Sequence, residues 1–417
     1  MRRFVYTLGV IALLPWAMLH LAWRSRRQPE YLAHWGERFG FYGPKPDAPV
    51  IWIHAVSVGE TRAAQALVAA LSARYPGHRI LFSHMTPTGR ETSIALFGNR
   101  VDRVYLAYDT PWGVARFLDH FRPALGLVME TELWPNLVAA CKARRVPLLL
   151  VNARLSERSA RGYARWAALA RQTLQRLTAV AAQGEDDAQR LRDLGASDVA
   201  VLGNMKFDIE PPAAQVALGE ELRAAAGGRP LVLCASTREG EEALILDAWP
   251  RDARALLAIV PRHPQRFDEV GALITARGFK LQRRSGQAPV VAATQVWLGD
   301  SMGELFAWYA AADVAFVGGS LLDFGSQNLI EPCAVGTPVL IGPSTFNFAD
   351  AAREAIEAGA AIQVADARTL VATAMELIAD PSRRTTMADF GRAFAARHRG
   401  ATARSMALIE RVIPAAR

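Results

Sequence analysis

The sequence predicts an α/β protein with two doubly wound domains that face each other across a cleft, preceded by an N-terminal membrane-anchoring helix. Three observations support this fold class. Short apolar segments alternate with longer segments of helical period, as in parallel sheets covered by helices. The chain has 417 residues, 51% of them hydrophobic, which is enough for two complete cores. In each half an apolar segment ends in small residues where a helix should begin, which is typical of anion sites at the carboxyl edge of a sheet.

The N-terminal segment is the longest apolar stretch of the chain. Residues 4–23 are apolar apart from Thr7 and His20, and this length is enough to cross a bilayer. Arginines on both flanks suit lipid headgroups, and no small-residue cleavage site follows, so a cleaved signal peptide is not predicted. We therefore expect residues 1–27 to form a membrane anchor helix, which either spans the bilayer or lies in its interface. A buried core helix is the alternative.

Strand and helix patterns alternate after Pro49, with one break near residues 208–215, where Pro211 and Pro212 interrupt both patterns. We therefore expect Rossmann-like domains over residues 28–210 and 211–395, and a final helix, 396–417, that packs back on the first domain. The predicted strands are 50–54, 79–83, 124–128, 147–151, 178–182 and 199–202 in the first half, and 230–235, 256–260, 289–297, 313–317 and 337–341 in the second.

Charge and composition narrow the classes of function. The net charge of +8 favours an anionic partner without identifying it. The three cysteines are far apart in sequence, which argues against a disulfide framework or a cysteine metal site. Neither half contains G-x-G-x-x-G or G-x-x-x-x-G-K-[ST], which disfavours a dinucleotide enzyme and a P-loop ATPase. The acidic run 185–187 is interpreted as a first helical turn rather than a metal site, so no metal is predicted.

Two segments with carboxylates follow predicted strands in the first half. Glu60 lies after strand 50–54 at the start of a predicted helix, whose end should keep its carboxylate ionised and available as a general base. Residues 129–136, which include Glu130 and Glu132, follow strand 124–128 and place polar groups where a ligand would lie. Ordinary helix capping is the alternative in both places.

A basic segment follows the fourth predicted strand. Arg154, Arg158, Arg161 and Arg165 recur at spacings of four, three and four, which predicts one helical face. Like charges at this spacing repel by a few tenths of a kcal/mol per pair, so a ligand with phosphate groups would offset that cost. A solvated helix surface is the alternative.

Small, hydroxyl or charged residues follow four consecutive predicted strands in the second half. Because the carboxyl ends of parallel strands meet at one sheet edge, these segments together indicate a nucleotide monophosphate site. In such a site Arg262 would pair with phosphate and Glu331 would bind the two ribose hydroxyls. The four segments are 236–242, 261–264, 299–305 and 318–320.

Several of these segments resemble the 3-deoxy-D-manno-octulosonic acid (Kdo) transferases of lipopolysaccharide assembly. The resemblance implies a GT-B fold and an inverting transfer of Kdo from CMP-Kdo to the lipid A precursor (lipid IVA), without a metal or cofactor. It also implies catalytic domains on the cytoplasmic side of the inner membrane, with membrane lipids and no nucleic acid as further partners. The shared runs are WGER at 35–38, SVGE at 57–60, MTPTG at 85–89, METELWPN at 129–136, NARLS at 152–156, KFD at 206–208, PRHP at 261–264, GDSMGEL at 299–305 and TFNF at 345–348.

The resemblance also implies roles for individual residues. Glu60 is expected to be the general base, and Glu130 and Lys206 are expected to stabilise the transition state. Gln327 and Arg238 stand where the family often carries histidine, which bears on donor binding rather than on the reaction. The expected CMP site comprises Ser236, Arg262, His263, Met302, Gly303, Glu304, Asn328, Leu329, Ile330 and Glu331.

Two other classes of protein remain as alternatives. A nucleotide-sugar epimerase can have the same architecture, but it would need neither a membrane segment nor a basic face. A non-enzymatic binder of anionic lipid or nucleic acid would explain the positive charge, but it would not need the strand-end segments of the second half.

Overall fold

The structure is a computed structural model that describes residues 2–26, 28–208 and 210–413. The chain divides into two compact units, one of residues 1–208 with 399–417 and one of residues 209–398. In the described part, each unit contains one parallel sheet of seven strands. The divisions fall after residues 208 and 398, where the sequence analysis placed them after 210 and 395.

Unit 1 has the strand order β3-β2-β1-β4-β5-β6-β7, so the chain direction across the sheet reverses between β1 and β4. Its strands are β1 (Val50–His54), β2 (Arg79–His84), β3 (Asp102–Tyr105), β4 (Pro123–Met129), β5 (Leu148–Ala153), β6 (Ala179–Ala182) and β7 (Val199–Val201). Its helices up to Asp208 are α1 (Arg2–Arg24), α2 (Val58–Ala63), α3 (Gln65–Arg74), α4 (Pro87–Phe97), α5 (Pro111–Phe121), α6 (Pro135–Ala143), α7 (Glu157–Ala164), α8 (Ala167–Leu174) and α9 (Glu185–Asp193).

Unit 2 has the strand order β10-β11-β9-β8-β12-β13-β14, with the reversal between β8 and β12. Its strands are β8 (Leu231–Thr237), β9 (Leu256–Pro261), β10 (Leu281–Arg283), β11 (Val296–Leu298), β12 (Val314–Val317), β13 (Val339–Ile341) and β14 (Ala361–Gln363). Its helices are α10 (Ala213–Ala225), α11 (Glu241–Ala248), α12 (Phe267–Ala276), α13 (Leu305–Ala311), α14 (Ile330–Val335), α15 (Ala349–Glu357), α16 (Ala367–Ala379) and α17 (Pro381–His398).

The last helix of the chain, α18 (Ala401–Val412), belongs to unit 1 and packs on α3. It places Leu408 and Ile409 in one of the two core layers of that unit. The carboxylate of Asp208 accepts hydrogen bonds from the backbone N–H groups of Gly400, Ala401 and Thr402 at the start of α18. Asp208 is the last residue of the first segment of unit 1, and these hydrogen bonds attach the start of α18 to it. Short 3-10 helices cover Pro29–Leu32, Trp35–Phe39, Gly98–Arg100, Met205–Phe207, Pro264–Arg266 and Arg284–Gly286.

Each sheet is buried between two apolar layers. Side chains alternate between the two faces of a strand, so each strand contributes residues to both layers. Along β1, Val50 and Trp52 belong to one layer, while Ile51 and Ile53 belong to the other. Burial on both faces explains why the central strands are continuous apolar runs and why they were predictable. The two layers of unit 2 follow the same pattern around β8.

Three strands are not predicted from the sequence, and the predicted start of a fourth lies too early in the chain. The strands β3, β10 and β14 lie at or near sheet edges, where only one neighbour covers them, and each carries polar residues. The predicted strand 289–297 is wrong except at its end, since β11 covers only Val296–Leu298. Short, half-exposed edge strands lack the apolar pattern by which the central strands were recognised.

Among the described residues, α1 is the one helix long and apolar enough to cross a membrane. None of its residues is buried, so the alternative of a core helix is wrong. Its side chains alternate between half-exposed positions, such as Val10 and Leu14, and strongly exposed ones, such as Trp16 and Leu19.

Candidate active site

Both units carry their polar strand-end segments at the point where strand order reverses. Doubly wound sheets bind ligands at this point, beyond the carboxyl ends of the strands. In unit 1 the neighbouring strands β1 and β4 lead into residues 55–60 and 130–136. In unit 2 the neighbouring strands β8 and β12 lead into residues 238–242 and 318–320. The structure therefore brings together two of the predicted segments in each unit, at the sheet edge where a ligand would bind.

Glu60 lies in the first turn of α2, directly beyond β1. Glu60 is 6% exposed, and its carboxylate is held by two donors, the Ser57 hydroxyl at 2.7 Å and the Val56 N–H at 2.7 Å. The Ser57 hydroxyl in turn accepts from the Glu60 N–H at 3.2 Å and caps the helix. These bonds leave the carboxylate in one fixed position, which favours a defined chemical role.

Burial raises the pKa of the Glu60 carboxyl to about 7, although the Ser57 and Val56 donors oppose the shift. The neighbouring carboxylates of Glu130 and Glu132 add to it. The sequence predicts that Glu60 is ionised at neutral pH, whereas desolvation by burial raises its pKa so far that the carboxyl is only partly ionised there. A pKa near neutrality is what an efficient general base requires.

A loop from the next strand supports this arrangement. The Thr86 hydroxyl donates to the Val56 carbonyl at 2.8 Å, and a Cβ at Gly89 would lie 2.9 Å from the same oxygen. Val56 is thus fixed on one side by Thr86 while its N–H holds Glu60 on the other. Only a residue without a side chain fits at position 89, which accounts for the glycine in the MTPTG run.

Glu130 and Lys206 form an ion pair beside Glu60. The Lys206 Nζ lies 3.4 Å from the Glu130 Oε1, and both side chains are about one quarter exposed. Glu130 adopts a φ of 54°, a left-handed conformation that is costly outside glycine and that clusters at functional sites. Burial, then the charge of Glu130, raises the pKa of Glu132. All three predicted catalytic residues therefore lie in unit 1 at the same sheet edge.

Asn152 is a residue of this site that the sequence analysis did not single out. It also has a left-handed backbone, with a φ of 52°, and its Oδ1 accepts from the Met205 N–H at 2.9 Å. The 3-10 turn that carries Lys206 is thereby attached to the end of β5. A buried asparagine within a strand otherwise made of apolar residues was the available signal.

In unit 2, a buried carboxylate links the two strand ends at the reversal. Glu241 is fully buried and accepts from the N–H groups of Arg238 at 2.8 Å, Gly319 at 2.7 Å and Leu321 at 3.0 Å. Within the segment 318–320, which was expected to face a phosphate, the N–H group of Gly319 is therefore already used. A further close contact lies beside it, because a Cβ at Gly318 would stand 2.5 Å from the Ser236 carbonyl oxygen.

Basic side chains surround this point. The Arg262 Nε donates to the Gln327 Oε1 at 3.1 Å, and the Arg262 N–H donates to the Thr237 carbonyl at 3.0 Å. Burial, then the charges of Arg238, Arg262 and Arg266, lowers the pKa of His263. Arg238, Arg262 and Arg266 therefore place positive charge near His263, which would suit an anionic ligand. Ser236, the first residue of the predicted CMP site, lies here with a φ of 55°.

Arg266 is a further residue that the sequence analysis missed. It forms a two-fold hydrogen bond to the fully buried carboxylate of Glu242, at 2.7 and 3.0 Å, and Thr237 donates to the same carboxylate at 2.7 Å. The pair attaches the segment after β9 to the segment after β8. Its contribution is to hold Arg262 and His263 in place rather than to meet a ligand.

The other predicted CMP residues differ in what they can offer. Asn328 donates from Nδ2 to Glu331 at 3.1 Å and accepts from the Ile330 N–H at 3.0 Å. The side chains of Leu329 and Ile330 are fully buried, so any contact with a ligand would involve their backbone.

The segment after β11 is separate from these contacts. Met302 is 65% exposed and Gly303 has a φ of 81°, which a side chain would disfavour. Glu304 pairs with the Arg284 guanidinium at 3.2 Å. This carboxylate therefore already has a cationic partner within its own unit.

The predicted arginine face is only partly correct. Arg154 lies before α7, which begins at Glu157 after the Ser156 cap, so it is not on the helix. Arg158 and Arg161 lie on α7 and Arg165 caps its end, and these three are exposed. The Arg154 carbonyl instead accepts a hydrogen bond from the Thr131 hydroxyl, next to Glu130.

The acidic run 185–187 forms the first turn of α9, as predicted, and Asp187 accepts from the Leu155 N–H at 2.8 Å. Within residues 2–26, 28–208 and 210–413, no group of three or more His, Cys, Asp or Glu side chains is arranged to hold a metal ion.

Comparison with known proteins identifies the family. A family model described as 3-deoxy-D-manno-octulosonic-acid transferase (kdotransferase) matches residues 33–209. The 3-deoxy-D-manno-octulosonic acid transferase of Bordetella pertussis is 46% identical over 430 residues, which cover 98% of this chain and 99% of that protein. The chain belongs to the Kdo transferase family. The Kdo transferase of Haemophilus influenzae is 37% identical, with 98% of each chain covered. As a Kdo transferase family member, the protein is a glycosyltransferase, and the epimerase and binder alternatives are wrong.

Solved structures show the same fold. A glycosyltransferase from Rickettsia africae superposes with a TM-score of 0.58 at 13% identity, over 89% of this chain and 100% of that one. The UDP-GlcNAc 2-epimerase from Neisseria meningitidis gives a TM-score of 0.57 at 16% identity, over 87% and 100%. At these identities the likeness concerns architecture alone, and it confirms the predicted GT-B fold of this Kdo transferase.

Proposed function

We propose that this member of the family transfers Kdo from CMP-Kdo to the lipid A precursor, lipid IVA, with inversion and with Glu60 as the general base. The observation that carries the proposal is the Glu60 carboxylate, which is buried, held by Ser57 and Val56, and has a pKa of about 7. A carboxylate with this pKa accepts a proton from a hydroxyl more readily than an ordinary glutamate does.

The proposed step balances as a direct displacement. The acceptor hydroxyl oxygen forms a bond to the anomeric carbon of Kdo, while the bond from that carbon to the phosphate oxygen of CMP breaks. The electron pair of the broken bond leaves with CMP, and the hydroxyl proton moves to Glu60. A single displacement at the anomeric carbon inverts its configuration.

The Glu130–Lys206 pair would stabilise developing charge and would not transfer a proton. The ammonium of Lys206 lies 3.4 Å from the Glu130 carboxylate, which orients it beside the base. A fixed positive charge here would stabilise negative charge as it develops on the departing phosphate. Glu130 would keep the ammonium in place between turnovers, and the Asn152 contact to the same 3-10 turn would limit its movement.

The donor would bind at the strand reversal of unit 2. Arg262, fixed by Gln327, would pair with the phosphate of CMP, and Glu331, held by Asn328, would bind the ribose hydroxyls. Because the N–H groups of Gly319 and Leu321 already donate to Glu241, the phosphate would rely on guanidinium groups more than on the glycine turn. We propose no metal or cofactor in either step.

The acceptor would be taken from the membrane. The apolar α1 and the exposed arginines of α7 suit a diphosphorylated glycolipid at the cytoplasmic face of the inner membrane, where CMP-Kdo would be available. The family and the apolar helix support membrane association. The cytoplasmic leaflet of the inner membrane and lipid IVA as acceptor are part of the proposal.

An assay with radiolabelled CMP-Kdo and purified lipid IVA in detergent tests the proposal directly. We expect label to enter the lipid fraction, release of one CMP per Kdo transferred, and unchanged rates in excess EDTA. Loss of activity in EDTA that Mg²⁺ restores would contradict the metal-independent mechanism. Release of CMP without labelled lipid would contradict the acceptor, and retention of configuration at the anomeric carbon would contradict the single displacement.

A further inference from the structure

The N-terminal helix α1 is fixed to unit 1 at both ends. At its start, the Thr7 hydroxyl donates to the Asn136 Oδ1 at 3.1 Å, and the Tyr6 hydroxyl hydrogen-bonds the Asp109 carboxylate. At its end the chain continues into unit 1, where the buried Tyr31 ring lies 4.4 Å beneath the Arg24 guanidinium. The helix also contacts α6 and α8.

These attachments conflict with a helix that crosses the bilayer. Seventeen residues separate Thr7 from Arg24, which is about 26 Å of helix, close to the roughly 30 Å hydrocarbon thickness of a bilayer. If α1 spanned the membrane, Thr7 would lie near the far side, and Asn136 and Asp109 could follow only by entering the hydrocarbon. Asp109 is held inside unit 1 by the N–H groups of Asn136 and Leu137, so this movement would remove a carboxylate from its donors.

Burial along α1 follows the same geometry. Its half-exposed residues recur every three or four positions and form the face towards unit 1, whereas the opposite face is strongly exposed and apolar. The residues of the inner face are Tyr6, Thr7, Val10, Ile11, Leu14, Ala17 and Leu21. The residues of the outer face are Val5, Leu8, Ala12, Trp16, Leu19 and Trp23.

We infer that α1 lies parallel to the membrane surface against unit 1, with its outer face in the interfacial layer of an anionic bilayer, and does not cross it. Two tryptophans on the outer face suit the headgroup boundary, where one edge of the ring is apolar and the other is wet. Arg2, Arg3 and Arg24 at the helix ends complement anionic lipid.

The neighbouring helix α7 extends the same surface. Tyr163 of α7 lies close enough to Tyr6 to act on its hydroxyl electrostatically, and Trp166, three residues later, is 62% exposed. Arg158, Arg161 and Arg165 lie on the opposite side of α7 from Tyr163 and are exposed, so α7 adds positive charge next to α1 without contacting it through these side chains. A second copy of the chain is a poorer partner for this surface, because two such arginine-rich faces would repel each other.

One consequence concerns the active site, although the inference itself is independent of the proposed chemistry. Asn136, which contacts Thr7, ends the METELWPN run that contains Glu130, and Tyr163 donates to the Thr131 carbonyl of that run at 3.2 Å. A membrane seated on α1 and α7 would therefore adjoin the loop that carries Glu130.

Depth measurements in vesicles of phosphatidylethanolamine and phosphatidylglycerol test the inference on the full chain. Spin labels are attached to Val5→Cys, Ala12→Cys and Leu19→Cys, one per protein, because these positions are seven residues apart on the outer face. The natural Cys141, Cys234 and Cys333 are buried, so the added thiol is the reactive one. A label at Ala17→Cys, on the inner face, is the matched control.

We expect equal depths for the three outer labels and little lipid contact for the control. A spanning helix would instead separate the depths of residues 5 and 19 by about 21 Å, which would overturn the inference. Strong dipolar broadening between labels on different chains, without lipid contact, would assign the face to a second copy and would also overturn it.

A covalent bridge gives an independent test. Joining Thr7→Cys to Asn136→Cys with a short bifunctional thiol reagent makes a spanning α1 impossible. We expect the bridged protein to bind the same vesicles within two-fold of the unbridged variant. A ten-fold or greater loss on bridging would show that α1 must leave unit 1 to insert. Glu60→Gln should bind vesicles like the parent, so failure of the transfer proposal would leave this result unaffected.

Discussion

The carboxylate of Glu241 accepts a hydrogen bond of 2.7 Å from the backbone N–H of Gly319, 78 positions away in the chain. With its further bonds to Arg238 and Leu321, Glu241 ties the end of β8 to the end of β12. In many doubly wound sheets a bound anion accepts hydrogen bonds from backbone N–H groups at this position. Here the buried carboxylate of Glu241 accepts them instead. The two strand ends are thus prearranged before any donor binds, and close packing between them has measurable consequences.

Gly318→Ala should separate these strand ends. The new Cβ would stand 2.5 Å from the Ser236 carbonyl oxygen and 2.7 Å from the Thr237 Cα, and neither backbone atom can move alone. We expect the free energy of unfolding to fall by about 1–3 kcal/mol and CMP affinity, measured by calorimetric titration, to fall at least ten-fold. The matched control is Gly286→Ala, where a Cβ meets nothing within 4 Å. Equal CMP affinity in both variants would contradict this account.

Glu60→Gln should lower turnover by roughly 10²–10⁴-fold, because the amide keeps the size of the side chain but cannot accept the proton. Single-turnover transfer from CMP-Kdo to lipid IVA measures the effect, and CMP affinity should change little. Glu157→Gln, at an exposed first-turn position of α7, serves as the control and should transfer at the parent rate. Near-normal turnover by Glu60→Gln would remove this residue from the mechanism.

The pH dependence of kcat/KM should report the Glu60 carboxyl. Since the base must be ionised, activity should rise with pH and level off above a pKa of about 7. Ser57→Ala removes a donor that favours the ionised form, so the inflection should move to higher pH. Ser156→Ala removes a comparable helix cap from α7 and should leave the profile unchanged. An inflection that stays in place in Ser57→Ala would assign the titration to another group.

Stability should depend on pH through the same carboxyl. Its pKa is about 7 in the folded protein and 4.5 as an ordinary glutamate, so the folded state binds the proton more tightly. The free energy of unfolding therefore falls as pH rises from 4.5 to about 7, by about 3 kcal/mol in total. Glu60→Gln cannot ionise and should escape this loss. Denaturant titrations should show the free energy of unfolding of Glu60→Gln rising relative to that of the parent between pH 4.5 and about 7. A difference in free energy of unfolding that does not change with pH would contradict the raised pKa.

Replacing Arg158, Arg161 and Arg165 with glutamine should weaken binding to anionic vesicles on the order of 100-fold, at about 1 kcal/mol per residue. The effect should shrink in high salt, and the KM for the lipid acceptor should rise while that for CMP-Kdo stays constant. The control carries the same charge change at the exposed Arg368, Arg397 and Arg411. If both triple variants bind alike, the arginines of α7 are only a solvated surface.

The central strands could be predicted because burial on both faces makes them continuous apolar runs, as Val50–His54 is. The edge strand Asp102–Tyr105 could not, because half of it faces solvent and its sequence alternates too briefly. The same limit misplaced the arginine face. A spacing of four residues put Arg154 on a helix that Ser156 caps only two positions later.

The sequence predicts most residues of the site, but it does not predict the contact between Glu130 and Lys206 or the pKa of Glu60. Glu60 and Glu130 were recognisable because each follows a strand that the sequence reveals. The contact between Glu130 and Lys206 depends on a three-residue 3-10 turn after β7, which has no pattern of its own, and so Lys206 entered through family resemblance. The pKa of Glu60 was misjudged because sequence shows that a helix begins there but not how deeply its first turn is buried.

The position of α18 has a consequence for the order in which the protein is made. Unit 2 is one continuous stretch, so it can fold as soon as residue 398 has left the ribosome. Unit 1 cannot finish folding until residues 400–409 have emerged, because Leu408 and Ile409 complete its core and Asp208 accepts hydrogen bonds from the N–H groups at 400–402. A ribosome stalled anywhere in unit 2 would thus display a first half with an open apolar layer, which makes truncated products of this gene prime substrates for chaperones and proteases.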